Sequence, residues 1–187
     1  FHHAYVSSPS CTPSRGAALT GQWHWRLKGA ANLWSVFPDE FDTYPELLEK
    51  SGYEIGLWRK GWGPGRTETK GRHVAGKPHP NFQAFLAQRK KDQPFCFWLG
   101  SSDPHRGYKP GAGADSGMDV DRIEPFACFP DVPVVRSDIA DYYFEVQRFD
   151  KLVGDAMKSL EEIGELENTI VVMTGDHDHL GRVARAF

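Results

Sequence analysis

The run Ser8-Pro9-Ser10-Cys11-Thr12-Pro13-Ser14-Arg15 carries the sharpest chemical signal in the chain. Pro13 suits the first turn of a helix, Ala17, Ala18 and Leu19 its body, and Gly21 its end, which puts Cys11 just ahead of a helix N-terminus. Unpaired backbone N–H groups and the positive end of the helix dipole favour anions there, and Arg15, one turn on, adds a full charge. That setting suits the binding of an anion. Taken alone, the same pair also reads as a buried cysteine beside a structural arginine. Three more clusters of ionisable residues stand where apolar runs end. Arg59-Lys60-Gly61-Trp62 follows Trp58, Ser101-Ser102-Asp103-Pro104-His105-Arg106 follows Leu99 and Gly100, and Gly175-Asp176-His177-Asp178-His179 follows Thr174.

Helices and strands alternate around these clusters. A short helix from near Thr43 to Lys50 ends at Ser51-Gly52 before a strand over Tyr53 to Trp58. A second helix spans Asn81 to Lys91, with Phe82, Phe85 and Leu86 on one stripe, and leads to a strand over Phe95 to Leu99. From Arg136 to Gly164, Ile139, Tyr142, Val146, Phe149, Val153, Met157, Leu160 and Ile163 recur every three or four positions, the mark of a long helix with one buried face. The continuous run Thr169 to Thr174 reads as a strand buried on both faces. This pattern predicts an α/β layered domain with a parallel sheet, whose ligands gather at the carboxyl ends of the strands. The proline- and glycine-rich stretch Lys109 to Pro133 is expected to wrap over that rim as a substrate-facing loop.

Composition narrows the classes. The chain has 187 residues with 22 basic and 25 acidic side chains, a formal charge of −3, which is no electrostatic footprint for nucleic acid. Hydrophobic residues at 40% and charged residues at 25% fit one folded globular domain. No apolar run approaches the roughly 18 residues of a membrane-spanning helix. Cys11, Cys96 and Cys128 leave one thiol over, so a disulfide framework is not expected. Beginning at Phe1 and stopping after an apolar run, the chain reads as a piece of a longer protein, and its compartment does not follow from its start.

Cys11-Thr12-Pro13-Ser14-Arg15 followed by Leu19-Thr20-Gly21 resembles the signature of the sulfatase family. The resemblance implies a three-layer α/β/α alkaline-phosphatase-like fold with a largely parallel central sheet, of which residues 1–187 are a partial catalytic domain. It implies that a maturation enzyme converts Cys11 to formylglycine, whose hydrated aldehyde attacks sulfur and then releases sulfate by collapsing back to the aldehyde. Lys60 corresponds to a lysine that contacts sulfate, and Arg15 would help stabilise charge. Trp62 stands where the family often has a histidine. Asp103-Pro104-His105-Arg106 is similar to the heparan N-sulfatase branch, with His105 binding sulfate and protonating the leaving oxygen. Asp176 and His177, with residue 11, match metal ligands. Calcium is the usual family metal, and a histidine ligand leaves manganese or magnesium open. Two aspartate ligands expected upstream of the signature are not part of this sequence. Asp178 stands where the family has glycine, and Arg182 is a weak counterpart of a later substrate lysine. His2, His3, His24, His73 and His79 are assigned to the surface or to loops.

The expected function is hydrolysis of a sulfate ester or sulfamate on a sulfated small molecule or glycan. Trp23, Trp25, Trp34, Trp58, Trp62 and Trp98 either stack on sugar faces or fill the core. Two alternatives stand beside it: a phosphonate or phosphodiester hydrolase of the same superfamily, and an inactive member that binds sulfated glycans. The resemblance implies a periplasmic, secreted or lysosomal location.

Overall fold

The computed structural model describes residues 5–67, 70–107 and 109–176. The described residues divide into two compact units, residues 5–100 with 171–176, and residues 101–170.

In the first unit, the chain runs α1 (Cys11–Thr20), β1 (Ser35–Val36), α2 (Tyr44–Lys50), β2 (Glu54–Arg59), β3 (Gly65–Arg66), β4 (Lys77–Pro78), α3 (Phe82–Gln88) and β5 (Phe95–Gly100). Helix α1 begins at Cys11 itself, one step earlier than its composition implies, and ends where Gly21 turns left-handed at φ 66° and donates its N–H to the Ala17 carbonyl. The Glu46 carboxylate, three residues into the segment, accepts the Thr43 N–H at 2.8 Å and starts α2. Asn81 starts α3 by accepting the Ala84 N–H at 2.7 Å.

The strands form a parallel sheet in the order β4-β2-β5, with β2 and β5 paired from Glu54↔Phe95 to Arg59↔Gly100. A second parallel pair joins β1 to β3. Parallel neighbours need a crossover, and α3 supplies it between β2 and β5. Ile55, Gly56 and Leu57 are buried in succession, as in a strand covered on both faces. Gly56 is required there, because a Cβ would lie 2.6 Å from ring carbons of both Phe85 and Phe97. Leu19, Leu27, Phe37, Leu57, Trp62 and Val74 form the core between α1 and the sheet. The fold is thus the expected α/β class with parallel sheets.

The second unit is built on α5 (Pro133–Glu162), a 30-residue helix with proline in its first turn. The stretch read as a loop from Lys109 to Pro133 is instead partly structured. It contains α4 (Ala112–Asp115) and a 3₁₀ turn at Val120–Arg122. Ile123 from this stretch packs with Val135, Ile139 and Ala140 of α5, flanked by Met118, Val120, Phe126 and Phe129. Two hydrogen bonds lock it down, from the N–H groups of Gly111 and Gly113 to the Asp141 carboxylate at 2.8 and 2.7 Å, the second of them buried.

Two expectations fail in detail. The run Thr169–Thr174 forms no strand, and Ile170, Val172 and Met173 are 91%, 78% and 63% exposed. Apolar composition marks a segment that can pair, while the pairing needs an adjacent strand edge, and none of the described strands pairs with it. The apolar stripe of α5 is buried only in part, since Val146, Met157 and Ile163 are exposed. Among the described residues, no helix is long and apolar enough to cross a membrane.

Candidate active site

In the first unit, Cys11 and Lys60 meet. The Lys60 ammonium donates to Cys11 Sγ at 3.1 Å, and the thiol is buried at the first residue of α1. Short elements fix both ends of this contact. Thr12 Oγ1 donates to the Pro64 carbonyl at 2.8 Å and ties the start of α1 to the loop after β2.

The backbone of Lys60 is held from three sides. Its N–H donates to the Gly100 carbonyl at 3.0 Å, and its own carbonyl accepts from Trp98 Nε1 at 3.0 Å and Arg15 Nη1 at 3.0 Å. Strand β5 reaches this point only because residue 100 is glycine, for a Cβ there would lie 1.8 Å from the Lys60 oxygen. Arg59, just before, turns the chain out of β2 at a positive φ of 58°, a conformation that non-glycine residues adopt at a cost. Its guanidinium lies over the Trp58 ring at 4.7 Å.

Arg15 works as a hub. Nε pairs with Asp176 Oδ2 at 2.8 Å, and Nη1 reaches the carbonyls of Lys60 and Gly61 at 3.0 and 3.1 Å. Each member of the Arg15–Asp176 pair is only 13% exposed, so the pair is shielded from solvent. These contacts bring Cys11, Arg15, Lys60 and Asp176 into one cluster.

His177, the other half of the expected metal pair, lies outside the described residues, as do Asp178 and Arg182. No group of three or more His, Cys, Asp or Glu side chains gathers among the described residues. One oxygen of Asp176 is already bonded to a guanidinium. These donors fall short of a divalent-ion site.

His105 belongs to the second unit, in an exposed turn after β5. Its Nδ1 lies 2.7 Å from the Arg106 carbonyl, and because a carbonyl only accepts, Nδ1 carries the proton. Nε2 is then the nitrogen turned to other work. The turn opens on a cavity of about 740 Å³ whose wall includes Asp103, Arg106, Glu145 and Arg148.

Trp62 does not stand in for a site histidine. It is 4% exposed, packed edge-on to Phe37 with ring centroids 5.2 Å apart. Trp23, Trp25 and Trp34 are exposed, the first two stacked at 4.8 Å. Of the histidines assigned to the surface or to loops, His73 and His79 lie in loops but are covered rather than exposed. His79 is 9% exposed, edge-on to Phe85 at 5.1 Å, and burial lowers its pKa.

His73 is half-buried against the Lys60 loop. A Cβ on Gly61 would meet its ring at 2.2 Å, and it hydrogen-bonds the Trp62 backbone. Burial holds its pKa below the usual histidine value, against that hydrogen bond. Sequence spacing had no signal for His73, whose contact with the Lys60 loop is made through the fold. Gly100 had one, as a glycine directly after an apolar strand.

Comparison with known proteins agrees with the family resemblance. The family model described as "Sulfatase" matches residues 77–182, more than half of the chain. Human N-sulphoglucosamine sulphohydrolase is 28% identical over 95% of this chain and 43% of its own length. Arylsulfatase K from Rattus norvegicus and from Bos taurus are 23% and 24% identical over the whole chain and 45% and 47% of their own. The chain spans about half the length of the curated relatives it matches.

Proposed function

The chain belongs to the sulfatase family, and from that membership we propose that it is part of an enzyme hydrolysing a sulfate ester or sulfamate on a sulfated carbohydrate, with residue 11 as nucleophile in its formylglycine form. The observation that carries the reading is the Lys60 ammonium 3.1 Å from the Cys11 side chain, at the start of a helix. An oxygen nucleophile at that position has a cation beside it to bind a sulfate oxygen, and the charge that develops on sulfate during attack is offset there. Arg15 fixes the loop that carries Lys60 and orients Asp176. His105, with Nδ1–H bonded to the Arg106 carbonyl, has Nε2 to carry a second proton, and in that doubly protonated form it gives the Nε2 proton to the leaving oxygen or nitrogen.

The resemblance also brings a divalent metal, calcium first with manganese or magnesium open, expected on Asp176, His177 and residue 11. The described residues offer it Asp176 alone among carboxylates, so the chemistry drawn from this chain's own side chains does not pass through it. The N-sulphoglucosamine sulphohydrolase relative favours an N-sulfated sugar as substrate. A maturation enzyme acting on Cys11, and a periplasmic, secreted or lysosomal location, belong to the same reading. A second reading, binding of sulfated glycan without turnover, is favoured by the Arg15 bond to Asp176.

Peptide mass spectrometry across residue 11 of the full-length protein, from a host that makes formylglycine, tests the first reading together with sulfate release from N- and O-sulfated saccharides. Conversion to the aldehyde, with release abolished by Cys11→Ala, is the expected result. An unmodified thiol with glycan retained and no sulfate released supports the second reading. Preference for an aryl phosphodiester over an aryl sulfate overturns both.

A further inference from the structure

We infer that Glu145 is a positioning residue for His105: together with Arg148 it fastens Asp103, on one side of the His105 turn, to α5, while Asp138 of the same helix fastens Arg106 on the other side. The helix carries a polar stripe at Asp138, Asp141, Glu145 and Arg148, spaced three, four and three residues apart and therefore on one face. Each member grips the preceding segment. Arg106 Nη1 donates to Asp138 Oδ2 at 2.7 Å, with the other guanidinium nitrogen on the second oxygen. Asp141 holds the amides of Gly111 and Gly113. Arg148 Nη1 donates to both Glu145 oxygens at 3.1 and 3.2 Å, and its Nη2 lies 3.4 Å from Asp103 Oδ2. The Glu145 and Asp103 carboxyl groups are also hydrogen-bonded to each other.

Burial sets the importance of this cluster. The Glu145 side chain is 5% exposed and that of Asp103 18%, whereas Arg148 at 52% is largely solvated. Two carboxylates side by side repel, so contact with Asp103 favours the protonated form of Glu145. Burial pushes the Glu145 carboxyl above its ordinary value, Asp103 adds to that, and Arg148 opposes it. The groups facing the pair are Arg148 on α5 and, around the same cavity, His105, Arg106, Lys109 and Asp115. With its pKa raised on folding, Glu145 holds the turn best at acidic pH. The anchor loosens as pH rises through that raised value and Glu145 ionises.

The inference rests on the reading of His105 as the acid, but the anchor is measured without turnover. In the chain labelled with ¹³C at histidine Cε1, with the His105 signal assigned through His105→Gln, the wild-type His105 signal is expected to show an inflection that reports ionisation of Glu145. Glu145→Gln, which keeps a neutral hydrogen-bonding partner for Asp103, is expected to remove that inflection and leave amide protection at residues 101–107 intact. Glu145→Ala and Arg148→Gln are expected to lower that protection by about tenfold, while Lys151→Ala, at an exposed pair on the same helix, leaves it unchanged. If Glu145→Ala does not fold, the comparison of Glu145→Gln with Arg148→Gln decides. Wild-type protection and an unchanged pH dependence of the His105 signal in Arg148→Gln and Glu145→Gln overturn the inference. Loss of sulfate release in the full-length wild type with the anchor effects intact overturns only the functional reading.

Discussion

Gly100→Ala places one methyl group against the backbone that carries Lys60. The added carbon would lie 1.8 Å from the Lys60 oxygen and 2.6 Å from its carbonyl carbon, so β5 and the loop must part by about 1.5 Å to reach ordinary contact. That movement strains the Trp98 Nε1 and Arg15 Nη1 bonds, both 3.0 Å long and both ending on the oxygen that is displaced. Overpacking costs about 1–3 kcal/mol, and losing the bond from a charged donor about 1.5–3 kcal/mol, which together give a destabilisation of about 2.5–6 kcal/mol. Urea unfolding followed by tryptophan fluorescence reads this directly. In the full-length enzyme the same shift of Lys60 lowers kcat/KM by about 100-fold, the usual effect of misplacing a binding group by an ångström. A loss under about 1 kcal/mol with the Lys60 amide still protected would refute the account of how this residue is held.

Arg15→Gln removes a shielded charge from Asp176 and two carbonyls, and is expected to cost about 3 kcal/mol in denaturant unfolding, with faster amide exchange at residues 60–62. Because burial depresses the His73 pKa in the fold, acidification from about pH 6.5 makes the unfolded chain bind the proton first and stability falls; His73→Gln flattens the part of that slope not due to His79, which acts in the same direction. Trp62→His, which restores the residue type common in the family, empties a core position and is expected to cost about 3 kcal/mol without raising sulfate release, as unfolding and turnover of the full-length protein will report.

The local parts of this fold are written in the order of its residues. Thr43 with Glu46, Asn81, and Gly21 mark helix ends through contacts within four residues, and the structure realises each within a step or two. Strands β2 and β5 are legible as short apolar runs for the same reason. The run Thr169–Thr174 is misread because a strand is completed by a partner that its own composition does not name. The stripe on α5 is misjudged because periodicity shows which face is apolar, not how much of a 30-residue helix is covered. At the site, the signature around Cys11 and the ionisable residues after β2 and β5 are visible as types in place. What holds them is not: Trp98, Gly100 and Glu145 act through partners 38 or more positions away, and His73 through Gly61 and Trp62 of the Lys60 loop.

Every backbone polar group of residue 60 is satisfied by a neighbour, and the shape of its bend is set by Arg59 and Gly100. Position 60 is therefore a socket into which different side chains fit without rebuilding their mount. Exchanging ammonium for guanidinium, thioether or amide at this point alters the reagent offered to residue 11 while the scaffold stays constant, which makes the site open to chemical retuning one functional group at a time.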